Sequence, residues 1–272
     1  MDLALPTYDA RLWPPAVAAL ASPGACAALA SPGARAALAS PGARAALASP
    51  GARAADVVFD MDGTLLAEDL GDELVAFLLE GGHRPPTWLE RCGDLEGYRR
   101  LTRGWDTPDQ FVLCALAIEG LDEAELERQV LACLAARVPL RGPIVALARQ
   151  MAEVGHRVWI LTGSSEGIGR AVARHLGLDP QRVIGLRLAQ DPATGRFGST
   201  PLPPIPCGAG KVQAAHQRIG APVAFTIGDS WTDLPLLAEA SLALAVPKLD
   251  GRLGPLARQA GIPVLSPVDL GG

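Results

Sequence analysis

Residues 56 to 65 read DVVFDMDGTL. Asp56 to Phe59 is a short apolar, β-branched run without polar alternation, which predicts a strand buried on both faces of a parallel sheet. Asp60 and Asp62 follow immediately, then Gly63, Thr64 and Leu65. Carboxylates placed there stand at the carboxyl end of the strand, the side on which open α/β sheets bind their ligands.

The rest of the ordered pattern extends outward from this strand. From about Asp69 to Arg137 the segments DELVAFLLEGG, DQFVLCALAI and DEAELERQVLACLAARV carry apolar residues at spacings of three and four, the pattern of helices. From Pro143 a helix leads into the strand HRVWIL, a turn at Thr162 and the helix EGIGRAVARHLG. The strand RVIGLRLAQ, a turn at DPATGRFG, the loop PLPPIPCGAG and the helix KVQAAHQRIG come next. The strand PVAFTIGD, the helix DLPLLAEA, the strand LALAV and a last helix complete the chain. Alternation of this kind predicts a Rossmann-like, doubly wound parallel sheet. The expected organisation is an α/β core over 55–67 and 141–272, with an α-helical cap inserted over 68–140.

Ahead of this lies a different kind of sequence. AALASPGAC begins at Ala18 and is followed by three copies of AALASPGAR ending at Arg53. Every unit holds a Pro-Gly pair that breaks a helix, and nine residues are too few to bury a face of their own. Residues 1–54 therefore read as a low-complexity appendage without chemistry.

Composition narrows the function classes. A formal net charge of −5, with no basic run longer than Arg99-Arg100, argues against a nucleic-acid partner. No apolar run reaches the roughly 18 residues that span a bilayer, so no membrane role is expected. Asp2 and Asp9 precede the first basic residue, and prolines interrupt any apolar stretch near the start, so the cytoplasm is the expected location. The five cysteines have no metal-like spacing, and His83, His156, His175 and His216 share no ligand spacing. No protein partner is indicated.

Placed on the predicted sheet, the polar residues converge. Asp60 and Asp62 follow one strand, Thr162 another, and Asp229 a third, with Asp233 just beyond and Lys211 starting a nearby helix. Crowded carboxylates repel unless a cation sits among them. Oxygen ligands suit Mg²⁺, and an ammonium with backbone N–H groups suits a phosphoryl group.

Together DMDGTL, Thr162, Lys211 and GDSWTD (228–233) resemble the four motifs of the haloacid dehalogenase-like hydrolases, in order, over about Asp56 to Leu265. The helical insertion resembles the cap of the phosphoserine-phosphatase-like branch. The resemblance implies that Asp60 is a nucleophile forming an aspartyl-phosphate and that Asp62 is the general acid and base. It also implies that Asp60, the backbone carbonyl of Asp62 and Asp229 hold Mg²⁺, with Asp233 in support, while Thr162, Gly163 and Lys211 bind the phosphoryl oxygens of a small phosphorylated substrate. Asp69 falls where phosphoserine phosphatases carry a longer glutamate that reads the substrate ammonium. Arg99, Arg100, Arg103 and Trp105 are the candidate cap residues for the leaving group.

Two other readings compete. Thr162 to Gly169 fits TGxxxGIG, which is similar to the cofactor turn of NAD(P)-dependent short-chain dehydrogenases. However, only 110 residues follow Thr162, and Tyr8 and Tyr98 both precede it, so the Tyr-x-x-x-Lys pair of that family has no counterpart. A non-catalytic protein retaining the hydrolase fold is the other alternative. GAGK at Gly208 to Lys211 is not a P-loop, because Ile205 replaces its first glycine and Val212 its metal-binding hydroxyl.

Overall fold

The computed structural model describes residues 7–22, 54–103, 107–246 and 251–265. Its sheet has six strands: β1 (Asp56–Phe59), β2 (Arg157–Ser165), β3 (Val183–Gln190), β4 (Phe197–Leu202), β5 (Phe225–Gly228) and β6 (Leu242–Ala245). They lie in the order β4-β3-β2-β1-β5-β6. Strand β1 is parallel to both neighbours, with Phe59 opposite Ile160 of β2 and Ile227 of β5. The chain therefore leaves these three strands side by side.

The unbroken apolar run of β1 is explained by what covers it. Val57 and Phe59 join Ile160, Phe225 and Ile227 in one core cluster, while Val58 faces the other way and packs with Leu161, Ala214 and Leu236. Successive side chains alternate across a strand, so a strand apolar on both faces needs a helical layer on each side.

The sheet departs from the all-parallel expectation at one edge. Strand β4 runs antiparallel to β3, with Arg187 opposite Leu202, whereas the sequence places these residues in a turn and a proline-rich loop. Gly198, Ser199, Thr200 and Pro201 carry little strand signal, and Pro201 is tolerated because an edge strand has one unpaired side.

The helices are α1 (Pro15–Leu20), α2 (Leu70–Glu80), α3 (Pro86–Cys92), α4 (Leu95–Thr102), α5 (Pro108–Leu116), α6 (Glu123–Arg137), α7 (Gly142–Glu153), α8 (Glu166–His175), α9 (Ala209–Ile219), α10 (Leu234–Glu239) and α11 (Leu253–Gln259). Helices α2, α4 and α6 each begin at an aspartate whose carboxylate accepts a first-turn N–H: Asp69, Asp94 and Asp122. Helices α2 to α6 leave and rejoin the sheet layer at one neck, where the Ala67 N–H donates to Pro139 O at 2.8 Å and the Arg141 N–H to Leu65 O at 2.9 Å. Helix α6 docks on α8, with Leu126 against Gly167 and Arg174 bonded to Glu127 at 2.8 Å.

The N-terminal segment is where the structure differs most from the expectation. Trp13, Val17, Leu20 and Ala21 are buried in the main core cluster, so residues 7–22 form part of the domain and are not an appendage. His156 fastens them: its Nε2 donates to Leu20 O at 2.9 Å and its Nδ1 accepts from the Ala55 N–H at 3.3 Å, roles assigned from the partners. One ring thus ties the first repeat unit, at Leu20, to the chain just after the last, at Ala55; most of the repeats lie outside the described residues.

Burying three large apolar side chains stabilises by about 1.5–3 kcal/mol each. Deleting residues 1–21 is expected to lower the melting temperature by at least about 10 °C. Calorimetry checks this, and an unchanged melting temperature would restore the appendage reading.

Candidate active site

The parallel register of β1, β2 and β5 delivers Asp60, Thr162 and Asp229 to the same end of the sheet. Beyond β1 the chain makes a wide turn closed by the Leu66 N–H donating to Met61 O at 3.0 Å. Gly63 occupies this turn with φ of +74°, and a Cβ there would lie 1.9 Å from Asp229 Oδ2. Only glycine combines that backbone conformation with so close an approach. Arg141 donates to the Gly63 carbonyl at 3.0 Å, fixing the turn from the neck side.

Asp60, Asp229 and Asp233 are buried, and one carboxylate oxygen from each lies within 4.8 Å of the others. Lys211, in the first turn of α9, is also buried and donates to Asp60 Oδ1 at 2.7 Å. Its ammonium is bonded to Asp233 as well, whose other oxygen accepts the Ser230 N–H at 2.9 Å. Burial and the nearby Asp233 push Asp60 up to about 6, against the pull of Lys211 and of the Thr64 hydroxyl. Burial alone would lower the Lys211 ammonium, but Asp233 and Asp60 outweigh it and raise it above the usual lysine range.

Asp62 faces a different environment. Its Oδ1 accepts the Leu70 N–H at 2.9 Å, and its Oδ2 accepts the hydroxyls of Thr162 at 3.0 Å and Ser164 at 2.7 Å. Burial, then Asp69 and Asp60, push this carboxyl up to about 8, although Ser164 and Leu70 favour its charged form. The side chain of Asp62 is thus held apart from the carboxylate trio, leaving only its backbone oxygen for the metal role the resemblance assigns. Asp233 is the third carboxylate of the trio. Three clustered oxygen donors are the donor chemistry that Mg²⁺ takes, and Lys211 alone neutralises only part of their charge, so the residues present fit the ion.

The other predicted residues are placed as follows. Thr162 is fully buried and accepts the Ser164 N–H at 3.0 Å, so it is not the cap of α8; Ser165 is the cap residue there, without a side-chain bond. Gly163 is buried under the Phe111 ring. Asp69 caps α2 by accepting the Asp72 N–H at 3.0 Å. Arg99, Arg100 and Arg103 are exposed, in or just after α4, and Trp105 lies outside the described residues.

The sequence reading does not single out Ser164 or Phe111. Ser164 was readable in principle, since residues two apart on a strand share a face and Thr162 was already singled out. Phe111 comes from a remote helix and carries no local signal.

The family model of the haloacid dehalogenase-like hydrolases matches residues 57–238. The chain belongs to that family. Membership removes the dehydrogenase reading of TGxxxGIG, because the same strand, turn and helix here present Thr162 and Ser164 to Asp62. No curated protein matches the sequence. Among solved structures, a conserved functionally unknown protein from Anaerococcus prevotii DSM 20548 is similar with a TM-score of 0.65 and 15% identity, over 96% of this chain and 93% of its own. A protein of unknown function from Bordetella pertussis Tohama I gives 0.62 and 20%, over 78% and 99%. A phospho-aspartyl intermediate analogue of phosphoserine phosphatase gives 0.52 and 15%, over 78% and 92%. These likenesses concern the fold. Among the described residues no helix is long and apolar enough to cross a membrane.

Removing the buried cation would leave Asp60 and Asp233 uncompensated, a loss of about 3–5 kcal/mol. Lys211→Met is therefore expected to be strongly destabilised above pH 6. The deficit shrinks as the pH falls through the raised carboxyl range, because protonation then replaces the missing charge. Denaturant unfolding at pH 5 and pH 8 checks this, and an equal loss at both would contradict the assignment.

Proposed function

We propose that the protein is a Mg²⁺-dependent phosphomonoesterase acting on a small phosphorylated metabolite through an aspartyl-phosphate on Asp60. The observation that carries this reading is the divergence of two aspartates only two residues apart. Asp60 is directed into the carboxylate and ammonium cluster, while Asp62 is enclosed by hydroxyls and a backbone N–H. Environments that separate two carboxyl groups in this way assign them different chemical roles.

Asp60 is the nucleophile. It attacks phosphorus, the phosphorus–oxygen bond to the leaving group breaks, and the departing alkoxide takes the proton of Asp62. A carboxyl raised to about 8 holds that proton at neutral pH. Asp62, then ionised, removes a proton from water, which attacks the aspartyl-phosphate and releases phosphate and free Asp60. Lys211 orients Asp60 and carries positive charge beside the phosphoryl oxygens. The Gly163 N–H lies at the turn that would receive those oxygens, while Thr162, whose hydroxyl donates to Asp62, joins Ser164 in holding the acid. Asp60, Asp229 and the Asp62 carbonyl, with Asp233 in support, would hold Mg²⁺, which when bound neutralises the carboxylates and offsets charge on the phosphoryl group. Lys211 beside Asp60 favours its ionised form, the form that can attack.

Asp60→Asn is expected to abolish Mg²⁺-dependent hydrolysis of an aryl phosphate, and unchanged turnover in a folded variant would refute the mechanism. Asp62→Asn keeps an acceptor for the Leu70 N–H but has no proton to transfer. We expect it to lose about 10²–10⁴-fold in kcat on an alkyl phosphate, and much less on a p-nitrophenyl ester, whose leaving group needs no acid. In the unaltered protein, kcat/KM for the alkyl ester falls as the pH rises through about 8, where the acid loses its proton. Paired pH profiles for the two esters test this, and identical losses would remove Asp62 from proton transfer.

A further inference from the structure

One face of α5 lies over both halves of the site. A Cβ on Gly163 would lie 2.5 Å from Cε1 and 2.6 Å from Cδ1 of Phe111, so the ring packs directly on the backbone beside Thr162. One turn later on the same helix, Cys114 Sγ is 2.9 Å from the place a Cβ on Gly71 would take, and Ser164 Oγ is 2.7 Å from that same place. Ser164 is the residue that donates to Asp62 at 2.7 Å. Positions three apart share a helix face, so this face of α5 runs from the Gly163 turn to the enclosure around the proposed acid. Cys114 is buried there, whereas Phe111 keeps part of its surface open.

On the reading above, the phosphoryl oxygens lie against Gly163 and the leaving oxygen takes its proton from Asp62. The group carried by that oxygen must then extend into the space that α5 covers. We propose that Phe111 is the specificity-determining residue of this site, its ring walling the leaving-group side so that compact alcohols are accepted and bulky ones refused. The proposal rests on the phosphomonoesterase reading. It also explains why position 163 is glycine: any side chain there would displace the ring. Phe111 is a shape selector and takes no part in bond making, so its removal changes which ester is preferred and leaves the binding of bare phosphate intact.

The test uses the full chain with Mg²⁺ and two probes, glycerol 2-phosphate as the compact ester and 1-naphthyl phosphate as the bulky one, with inorganic phosphate as inhibitor. Phe111→Ala is expected to shift the ratio of kcat/KM by about tenfold or more toward the naphthyl ester, and Phe111→Trp to shift it the other way. The inhibition constant of phosphate should stay within about twofold in both. Phe111→Leu, which keeps most of the packing, carries the test if the alanine variant does not fold, with a smaller shift in the same direction. A folded variant series with an unchanged ratio overturns the assignment and makes Phe111 a packing residue only, as does a phosphate constant that moves in step with both esters. If the unaltered protein hydrolyses neither ester, the phosphomonoesterase reading falls as well; activity with an unchanged ratio defeats the Phe111 proposal alone.

Discussion

The ion cluster of Lys211 with Asp60 and Asp233 is the constraint around which this end of the molecule is organised. An ammonium and two carboxylates taken out of water lose several kcal/mol of hydration each, which is recovered only if their geometry is close and their remaining donors and acceptors are satisfied. Here the partners arrive from three places: the end of β1, the first turn of α9 and the loop after β5. Asp60 is fixed by its own N–H, which donates to Ile227 O at 3.0 Å, and Asp233 by the Ser230 N–H at 2.9 Å. The cluster therefore forms only when the central strands are in register, and it reports on the same register that brings Asp229 alongside.

The turn after β1 determines how the two aspartates part company. In an ordinary strand, residues two apart would point to the same side. The wide turn and the positive φ of Gly63 break that periodicity, leaving Asp60 with Lys211 and sending Asp62 toward Thr162 and Ser164. The consequence is electrostatic. Asp60 keeps a cation beside it, while Asp62 has only hydroxyls, a backbone N–H and other acids, and so retains its proton to higher pH.

What the sequence disclosed follows from how local each signal is. The buried strand at Val57 to Phe59, the carboxylates that follow it and the helical periodicity of 70–137 are all properties of short windows, and the structure contains them. The antiparallel β4 escaped because glycine, serine, threonine and proline at an edge are held by pairing with β3, a partner far weaker in sequence than in space. The docked N-terminus escaped because Trp13 and Val17 sit beside, and Leu20 within, a repeat whose composition dominates that window, although their burial depends on core residues far along the chain. Phe111 is the extreme case. Its meaning depends on the absence of a side chain at Gly163, a contact between positions 52 apart in the chain.

The turn ILTGSSEGIGR shows why a motif shared by two enzyme classes does not fix a ligand. A parallel strand, small residues and a helix start form a general device for bringing backbone N–H groups to an anion. Here the small residues answer to the protein's own packing. Gly163 admits the Phe111 ring, Gly167 admits Leu126 of α6, and Gly169 admits Val183, where a Cβ would lie 2.7 Å from its Cγ1. Thr162 and Ser164 meanwhile turn their hydroxyls to Asp62. The glycines that imitate a dinucleotide fingerprint are thus needed to seat the cap helices and the next strand. The chemical character of the turn lies in the two hydroxyls and in the aspartate, a hundred residues earlier, that they hold.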